Sequence, residues 1–227
     1  LGESGSCGVE RARQLVDKAG SGEVTLVSMA PNGEVSGLRT ALAMGAAKAI
    51  LVSDDALKGA GALDTAKVLA AAIKRVDGAD LVLAATESSD GYTGTVPEQI
   101  AAVLDLPSIT FAKSVEIVDG TVKVQRQTEA GYDECEAPLP ALVSVTAGVV
   151  EPRYPSFKGI MAAKSKPVDT VTVADLGIDA AIVGWSGAGQ EIVDVAVAPA
   201  REAGEVFEDD GTAAQKIVEF LDGLKVL

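Results

Sequence analysis

Short apolar runs alternate with helical stripes along the first hundred residues. Unbroken apolar runs are typical of parallel strands that are buried on both faces. Apolar residues that recur every three or four positions predict amphipathic helices between these strands. Such alternation with short links predicts a parallel sheet with right-handed crossovers. The predicted strands are 24–29, 48–52 and 81–85. The predicted helices are one that begins near residue 9 and closes at Gly20, and those at 35–45, 63–73 and 96–105.

Beyond residue 105 the pattern changes to that of antiparallel strands. Asp119 and Gly120 separate two strand-like runs and give a strong hairpin signal. An acidic, polar stretch at 201–211 predicts an arm, and an amphipathic helix follows it with Ile217, Phe220, Leu221 and Leu224 on one stripe. The further predicted strands are 114–118, 121–125, 132–136, 141–145, 168–173 and 192–198, and 184–189 is predicted as a loop.

The predicted fold class is therefore α/β: a mostly parallel sheet flanked by helices, with an antiparallel hairpin and an extended C-terminal arm. We expect three parts along the chain. Residues 1–148 form the α/β domain, 149–167 form a distinct loop, and 168–227 hold the last strand, the arm and the terminal helix.

The loop at residues 86–96 links a predicted buried strand to a predicted helix. Ligands bind at this end of open α/β sheets, where the first N–H groups of a helix attract phosphate. Gly91 and Gly94 allow a close approach of the backbone, and Ser88, Thr93 and Thr95 offer hydroxyl groups. The alternative is an ordinary polar connection in which Asp90 or Thr95 is the N-cap of the helix.

The 149–167 segment differs in composition from its surroundings. It carries four basic side chains and one acidic one, in a chain whose net charge is −14. Large apolar residues, Phe157, Ile160 and Met161, lie among prolines and glycines, which favours a docking element for a partner. The alternative is a short helix over 160–163 that packs on the body of the protein and leaves its lysines in solvent.

Composition excludes several classes of function. The strong negative charge argues against a nucleic-acid-binding protein, and no apolar run is long enough for a membrane span. The chain has no histidine, so the common general base, the Ser–His and Cys–His pairs and the usual zinc ligands are missing. We predict no catalytic residues and no metal site, and we expect a bound cofactor to carry any redox chemistry.

Cys7 and Cys135 lie far apart in a chain without a recognisable signal peptide. Two free thiols in a reducing compartment fit this pattern better than a disulfide, so we expect a cytoplasmic protein.

Three stretches resemble the beta subunits of electron transfer flavoproteins, and the resemblance extends over nearly the whole chain. They are the Leu-Arg-Thr-Ala-Leu-Ala-Met-Gly-Ala run at 38–46, the Glu-Ser-Ser-Asp-Gly-Tyr-Thr-Gly loop at 87–94, and the most specific, the Glu-Pro-Arg-Tyr-Pro-Ser-Phe-Lys-Gly-Ile-Met-Ala-Ala-Lys run at 151–164. The resemblance implies a Rossmann-type, adenine nucleotide alpha-hydrolase-like sheet. It also implies a heterodimer with an alpha subunit, an FAD held mainly by alpha, a structural AMP in this chain, and a C-terminal part at 168–227 that reaches the alpha subunit.

The resemblance further implies which residues bind the cofactors. Thr93 and Gly94 would lie nearest the AMP phosphate, Met29 at the adenine or ribose, and Arg126 toward the flavin. The full set is Met29, Ala85, Thr86, Glu87, Ser88, Asp90, Gly91, Tyr92, Thr93, Gly94, Thr95, Val96 and Arg126.

The same resemblance implies electron transfer from acyl-CoA dehydrogenases and similar flavoenzymes to a membrane quinone oxidoreductase. The 149–167 segment corresponds to the family's recognition loop, with Phe157 as the apolar anchor. The implied partner-binding residues are Glu151, Pro152, Arg153, Tyr154, Phe157, Lys158, Ile160, Met161 and Lys164.

The chain departs from the family pattern in two places. Family members have a first strand and a nucleotide-contacting segment before the point where this sequence starts, so either the sequence is truncated there or the first strand is absent. Gln125 and Gln127 stand where glutamates are common, which implies the loss of a salt link to alpha.

Three alternative functions stay open from the sequence. The pocket of a bifurcating-type subunit would hold a second FAD in place of AMP. A stand-alone adenine-nucleotide sensor or hydrolase would use the same sheet without a partner. A structural adaptor would dock partners and bind no nucleotide.

Overall fold

The computed structural model describes residues 2–30, 32–189, 191–201, 204, 206 and 208–226. The chain divides into one unit at 1–191 and a second at 192–227. The first unit is α/β, as predicted, with strands that are covered by helices. Its elements are α1 (Glu3–Ala19), β1 (Thr25–Met29), α2 (Ser36–Ala43), β2 (Lys48–Val52), α3 (Ala62–Ile73), β3 (Leu81–Ala85), α4 (Val96–Leu104), β4 (Ser108–Val118), β5 (Thr121–Thr128), β6 (Gly131–Pro138), β7 (Ala141–Val145), α5 (Phe157–Ala163), β8 (Val168–Val171) and α6 (Gly184–Gly187).

The strands form two sheets. The first is parallel throughout, in the order β1-β2-β8. The second has the order β3-β7-β4-β5-β6, parallel from β3 to β4 and antiparallel from β4 to β6. Among the described residues, β1 pairs only with β2 and β3 only with β7, so each has one unpaired edge.

Helix α3 links the cores of the two sheets. Val68 and Ala72 on α3 pack with β2 and β8 residues such as Val52. Ala66 and Ala70, on the same helix, pack instead against α4 and Leu142 of β7. Small alanines on α3 allow this close packing on two sides. The fold therefore holds the carboxyl end of β3, where the 86–96 loop begins, on a buried framework.

Several predicted bounds were wrong at one end. Helix α1 begins at Glu3 and not near residue 9, and β4 begins at Ser108 and not at residue 114. Gly184–Gly187, predicted as part of a loop, forms the short helix α6, whose Trp185 N–H bonds to the Lys58 carbonyl at 2.9 Å.

The second unit contains α7 (Ala213–Gly223), which confirms the predicted terminal helix. The predicted strand at 192–198 is wrong, because these residues have no regular structure. The alternation of Val193, Val195 and Val197 suggested a strand, but a strand needs a neighbour to pair with. Of the predicted arm, residues 202, 203, 205 and 207 lie outside the described residues. No helix in the described part of the chain is long and apolar enough to cross a bilayer.

Candidate functional site

The 86–96 loop begins at the carboxyl edge of the second sheet. Thr86 continues the line of β3, and its N–H and hydroxyl groups both bond to the carbonyl of Val145, at 3.2 and 2.9 Å. Val145 ends β7 and is fully buried. The first residue of the loop is therefore fixed to the core, while the residues that follow it are free to face a ligand.

The middle of the loop is a tight turn. Tyr92 has a φ of 48° and Gly94 a φ of 64°, both in the left-handed region. The Tyr92 N–H bonds to the Ser88 carbonyl at 3.2 Å, and the Gly91 N–H bonds to the Ser88 hydroxyl at 3.3 Å. A left-handed backbone favours glycine at position 94 and is uncommon for a tyrosine, whose ring is left 66% exposed.

Four successive backbone donors after this turn lack protein acceptors. Within 86–96, all of which the structure describes, the N–H groups of Thr93, Gly94, Thr95 and Val96 make no hydrogen bond to the protein. Thr95 occupies the N-cap position of α4 but makes no side-chain cap bond. Consecutive N–H groups around a left-handed residue form an anion-binding concavity, here next to the positive end of a helix dipole. This geometry fits a phosphate.

Acidic side chains surround these donors. A Cβ atom at Gly94 would lie 3.6 Å from the Glu87 carboxylate, so that carboxylate is beside the backbone donors. Hydrogen bonds from Ser88 and from the Gly91 N–H lower the pKa of Asp90 below its ordinary value. Asp90 is therefore charged at neutral pH and can only accept hydrogen bonds, and the carboxylate oxygens of Glu87 offer further acceptors beside it. They fit a ligand that brings hydroxyl donors together with its anion, as a ribose phosphate does.

Met29 and Arg126 lie at other places on the same unit. Met29 is the last residue of β1 and is half-buried. Arg126 pairs with Ala112, which pairs with Val145, which pairs with Ala85. At about 4.8 Å per strand, this row places Arg126 about 14 Å from the start of the 86–96 loop. Arg126 is exposed, so the structure does not bring it together with the loop residues.

The 149–167 segment contains α5, which packs on α2 while keeping its large apolar residues exposed. Ala163 is buried against Leu38 and Leu42. A Cβ atom at Gly159 would lie 2.5 Å from the Ala43 carbonyl, so only glycine permits this approach. Tyr154 is 93% exposed and Phe157 80% exposed. The predicted alternative of a packed helix is thus right for Ala163, whereas Ile160, Met161 and Ala162 are exposed.

Two cationic side chains fasten the end of α5 to α2. The Arg39 guanidinium donates to the carbonyls of Ala163 and Lys166, at 2.7 and 2.8 Å. In return, the Lys166 ammonium donates to the carbonyls of Leu42 and Ala46, at 2.8 and 2.6 Å. Burial, with a smaller contribution from the nearby Arg13 charge, lowers the pKa of Lys166. Each cation satisfies carbonyls at the end of the opposite helix.

Sequence reasoning missed Glu10, which is 3% exposed in α1. Its carboxylate accepts from the Arg153 side chain at 2.6 and 2.9 Å and from the Arg153 N–H at 3.4 Å. Burial alone would raise the pKa of Glu10, but the bonds and charge of Arg153 lower it below 4.5. The position of this glutamate next to the apolar Val9 was the one sign that it could be buried. Its partner Arg153 lies 143 positions away, so the sequence could not show the pair.

Within the described part of the chain, no group of three or more His, Cys, Asp or Glu side chains could hold a metal ion. Cys7 and Cys135 are both free thiols, as predicted.

Comparison with known proteins identifies one family and several relatives that cover most or all of this chain. A sequence model of the electron transfer flavoprotein domain matches residues 6–176. The electron transfer flavoprotein subunit beta of Mycobacterium tuberculosis is 38% identical, over 100% of this chain and 87% of that protein. The protein of the same name from Thermoanaerobacterium thermosaccharolyticum is 37% identical, over 96% and 84%. The caffeyl-CoA reductase-Etf complex subunit CarD of Acetobacterium woodii is 35% identical, over 92% and 79%.

Proposed function

We propose a function from one premise: the chain belongs to the electron transfer flavoprotein family, among the beta subunits. Proteins of this family transfer electrons, and a beta subunit implies an alpha subunit as its partner. The proposal assigns AMP to the 86–96 loop, electron-donor docking to the 149–167 segment, and alpha-subunit contact to residues 192–227.

The free N–H groups of residues 93–96 carry the AMP assignment. They receive the phosphate, and the hydroxyls of Thr93 and Thr95 add donors beside them. Glu87 accepts from a ribose hydroxyl, and Met29 lies on the adenine or ribose side. No basic side chain occurs in 86–96, so binding depends on backbone donors and the α4 dipole. In this role AMP is structural and stabilises the folded chain by mass action.

FAD supplies the redox chemistry of the heterodimer and is held mainly by the alpha subunit. This chain helps to enclose it and provides the exposed Arg126 toward the flavin. With no histidine and no candidate metal cluster among the described residues, we assign this chain no catalytic group.

The 149–167 segment docks acyl-CoA dehydrogenases and similar flavoenzymes, which places the protein in fatty acid oxidation. Phe157 is the apolar anchor, since it is 80% exposed on a helix that is fixed to α2. Lys158 and Lys164 add positive charge on an otherwise acidic protein, and such local charge steers association. The heterodimer then passes its electrons to a membrane quinone oxidoreductase.

The second unit supports the contact with alpha. Helix α7 exposes a stripe of large apolar residues: Ile217, Val218, Phe220 and Leu224. Such a stripe is unstable in water unless another surface covers it. The alpha subunit is the partner that we assign to it.

A second flavin in place of AMP is the other candidate for the 86–96 loop. One relative is named as a subunit of a caffeyl-CoA reductase-Etf complex, and it covers 92% of this chain. The bulky Tyr92, which has a left-handed backbone two positions before Gly94, favours the smaller AMP.

The test is a nucleotide count on the chain co-expressed with its alpha subunit. The purified heterodimer is denatured, and every released nucleotide is identified by mass spectrometry. One FAD and one AMP per pair support the proposal. Two FADs assign the loop to a second flavin, and a single FAD without AMP refutes the AMP assignment.

A further inference from the structure

We infer that Glu10 is a positioning residue for partner docking. Its carboxylate holds the 149–167 segment at Arg153, directly before the exposed Tyr154. The inference rests on the docking role proposed above for that segment. Helix α1, although far from this segment in sequence, would thus set the position of the docking surface.

Residues 150–155 have no regular structure, although Val150, Pro152 and Pro155 are half-buried. All six are described, and none belongs to a helix or strand. Within 150–155, all of which the structure describes, only Arg153 makes hydrogen bonds, and all of them end on Glu10. The Arg153 guanidinium also lies 3.6 Å from the carboxylate of Asp17. Arg153 is therefore the polar anchor of the chain between Val149 and α5, and Glu10 accepts its hydrogen bonds.

Glu10 is itself fixed by the core. Its helix packs against β3, β4 and β7, and its neighbours Cys7 and Val9 are buried. The Gln14 amide donates to the same carboxylate at 3.1 Å. Because Glu10 bonds to both the side chain and the backbone N–H of Arg153, it fixes the position and the direction of the chain there.

The end of the segment is held independently. Arg39, Lys166 and the close approach of Gly159 keep α5 on α2 whether or not Glu10 is charged. Loss of the Glu10 bonds therefore leaves 150–155 with only the longer contact to Asp17 and its half-buried residues, which loosens it, while α5 stays in place. A partner that docks on Tyr154 and Phe157 must then order the loosened residues, which weakens binding without changing the flavin.

The test uses the purified heterodimer with FAD and a reduced acyl-CoA dehydrogenase as electron donor. We expect Glu10→Gln and Arg153→Gln each to raise KM for the dehydrogenase about three- to tenfold, the factor expected when one or two extra side chains must be ordered on binding. The double variant should do no worse than either single variant. In Glu10→Gln the kcat should stay unchanged, and Glu3→Gln, at an exposed glutamate of the same helix, should have no effect on KM.

Trypsin cleavage after Arg153 gives a second readout that needs no partner. We expect Glu10→Gln to accelerate this cleavage and Glu10→Asp, which keeps the charge, to restore part of the protection. An unchanged KM together with unchanged cleavage in Glu10→Gln overturns the inference. Phe157→Ala separates the two proposals: if it too leaves KM unchanged, the docking role itself fails, whereas if it raises KM and Glu10→Gln does not, only the positioning role fails.

Discussion

Replacing Gly94 by alanine tests whether the backbone of the 86–96 loop binds phosphate. Gly94 has a φ of 64°, a conformation that costs an alanine about 1–2 kcal/mol. The added Cβ would meet only the Glu87 carboxylate, at an ordinary contact distance of 3.6 Å. Backbone strain is therefore the main effect of the change, and the chain relieves it by turning the neighbouring N–H groups.

Gly78 provides a matched control in an exposed turn before β3. Its φ is 65°, and a Cβ there would meet nothing within 4 Å. Gly78→Ala therefore introduces the same strain far from the loop. Without nucleotide, both variants should lose about 1–2 kcal/mol of unfolding free energy, which lowers the melting temperature by about 2–4 °C per kcal/mol in a chain of this size.

The response to AMP should separate the two variants. At a concentration of one hundred times Kd, AMP stabilises the unchanged heterodimer and Gly78→Ala by about 2.7 kcal/mol. One hydrogen bond to a charged group contributes about 1.5–3 kcal/mol, so the loss of one phosphate contact weakens binding at least tenfold. The same AMP concentration then stabilises Gly94→Ala by no more than about 1.4 kcal/mol. Thermal melts with added AMP measure this, and equal AMP shifts in both variants would refute the backbone-donor account.

Three further predictions concern stability. Leu42→Ala should lower the unfolding free energy by about 2–5 kcal/mol, because Leu42 is fully buried. In the control Leu63→Ala, the side chain is 52% exposed, so denaturant titrations should show a change of less than about 0.5 kcal/mol. Asp54→Ala should lower the unfolding free energy by about 1 kcal/mol, since Asp54 accepts hydrogen bonds from the N–H groups of Ala56 and Val173. Asp55 makes only an exposed ion pair, so a similar loss of stability in Asp55→Ala would contradict this prediction. Because the pKa of Glu10 is lowered on folding, its contribution to the free energy of unfolding is complete above pH 4.5 and is lost as pH falls through the pKa of the folded state. The difference in stability between the unchanged protein and Glu10→Gln should therefore shrink in melts below pH 4.5. A difference that stays constant with pH would contradict this prediction.

Apolar runs predicted three strands of the parallel parts of the two sheets. The strands at 48–52, 81–85 and 141–145 have the predicted bounds. β7 is buried along its whole length and β2 after Lys48, whereas β3 is half-buried throughout. The start of α1 was missed because its first turn is rich in glycine and serine, and its exposed positions carry no apolar stripe. Tertiary packing of the later turns stabilises the whole helix.

The contacts that order the 149–167 segment were not predictable from spacing. Glu10 pairs with Arg153 across 143 positions, and Arg39 reaches the Ala163 carbonyl across 124. The residues around Glu10 and Arg39 in the sequence do not indicate which distant residues these two contact. Composition did reveal that the segment is unusual, because exposed Phe157 and several lysines stand out in an acidic chain with few aromatic residues. Local pattern thus located the segment, and only the fold shows what holds it.

The central claim, that this chain is half of an electron carrier for acyl-CoA dehydrogenases, is tested most directly by flavin reduction. The co-purified heterodimer is mixed under anaerobic conditions with such a dehydrogenase and its acyl-CoA substrate, and the absorbance of the heterodimer's flavin is followed. We predict rapid reduction that saturates with heterodimer concentration and is weakened by Phe157→Ala. A flavin that stays oxidised with the dehydrogenase and is reduced by NADH alone would contradict the account.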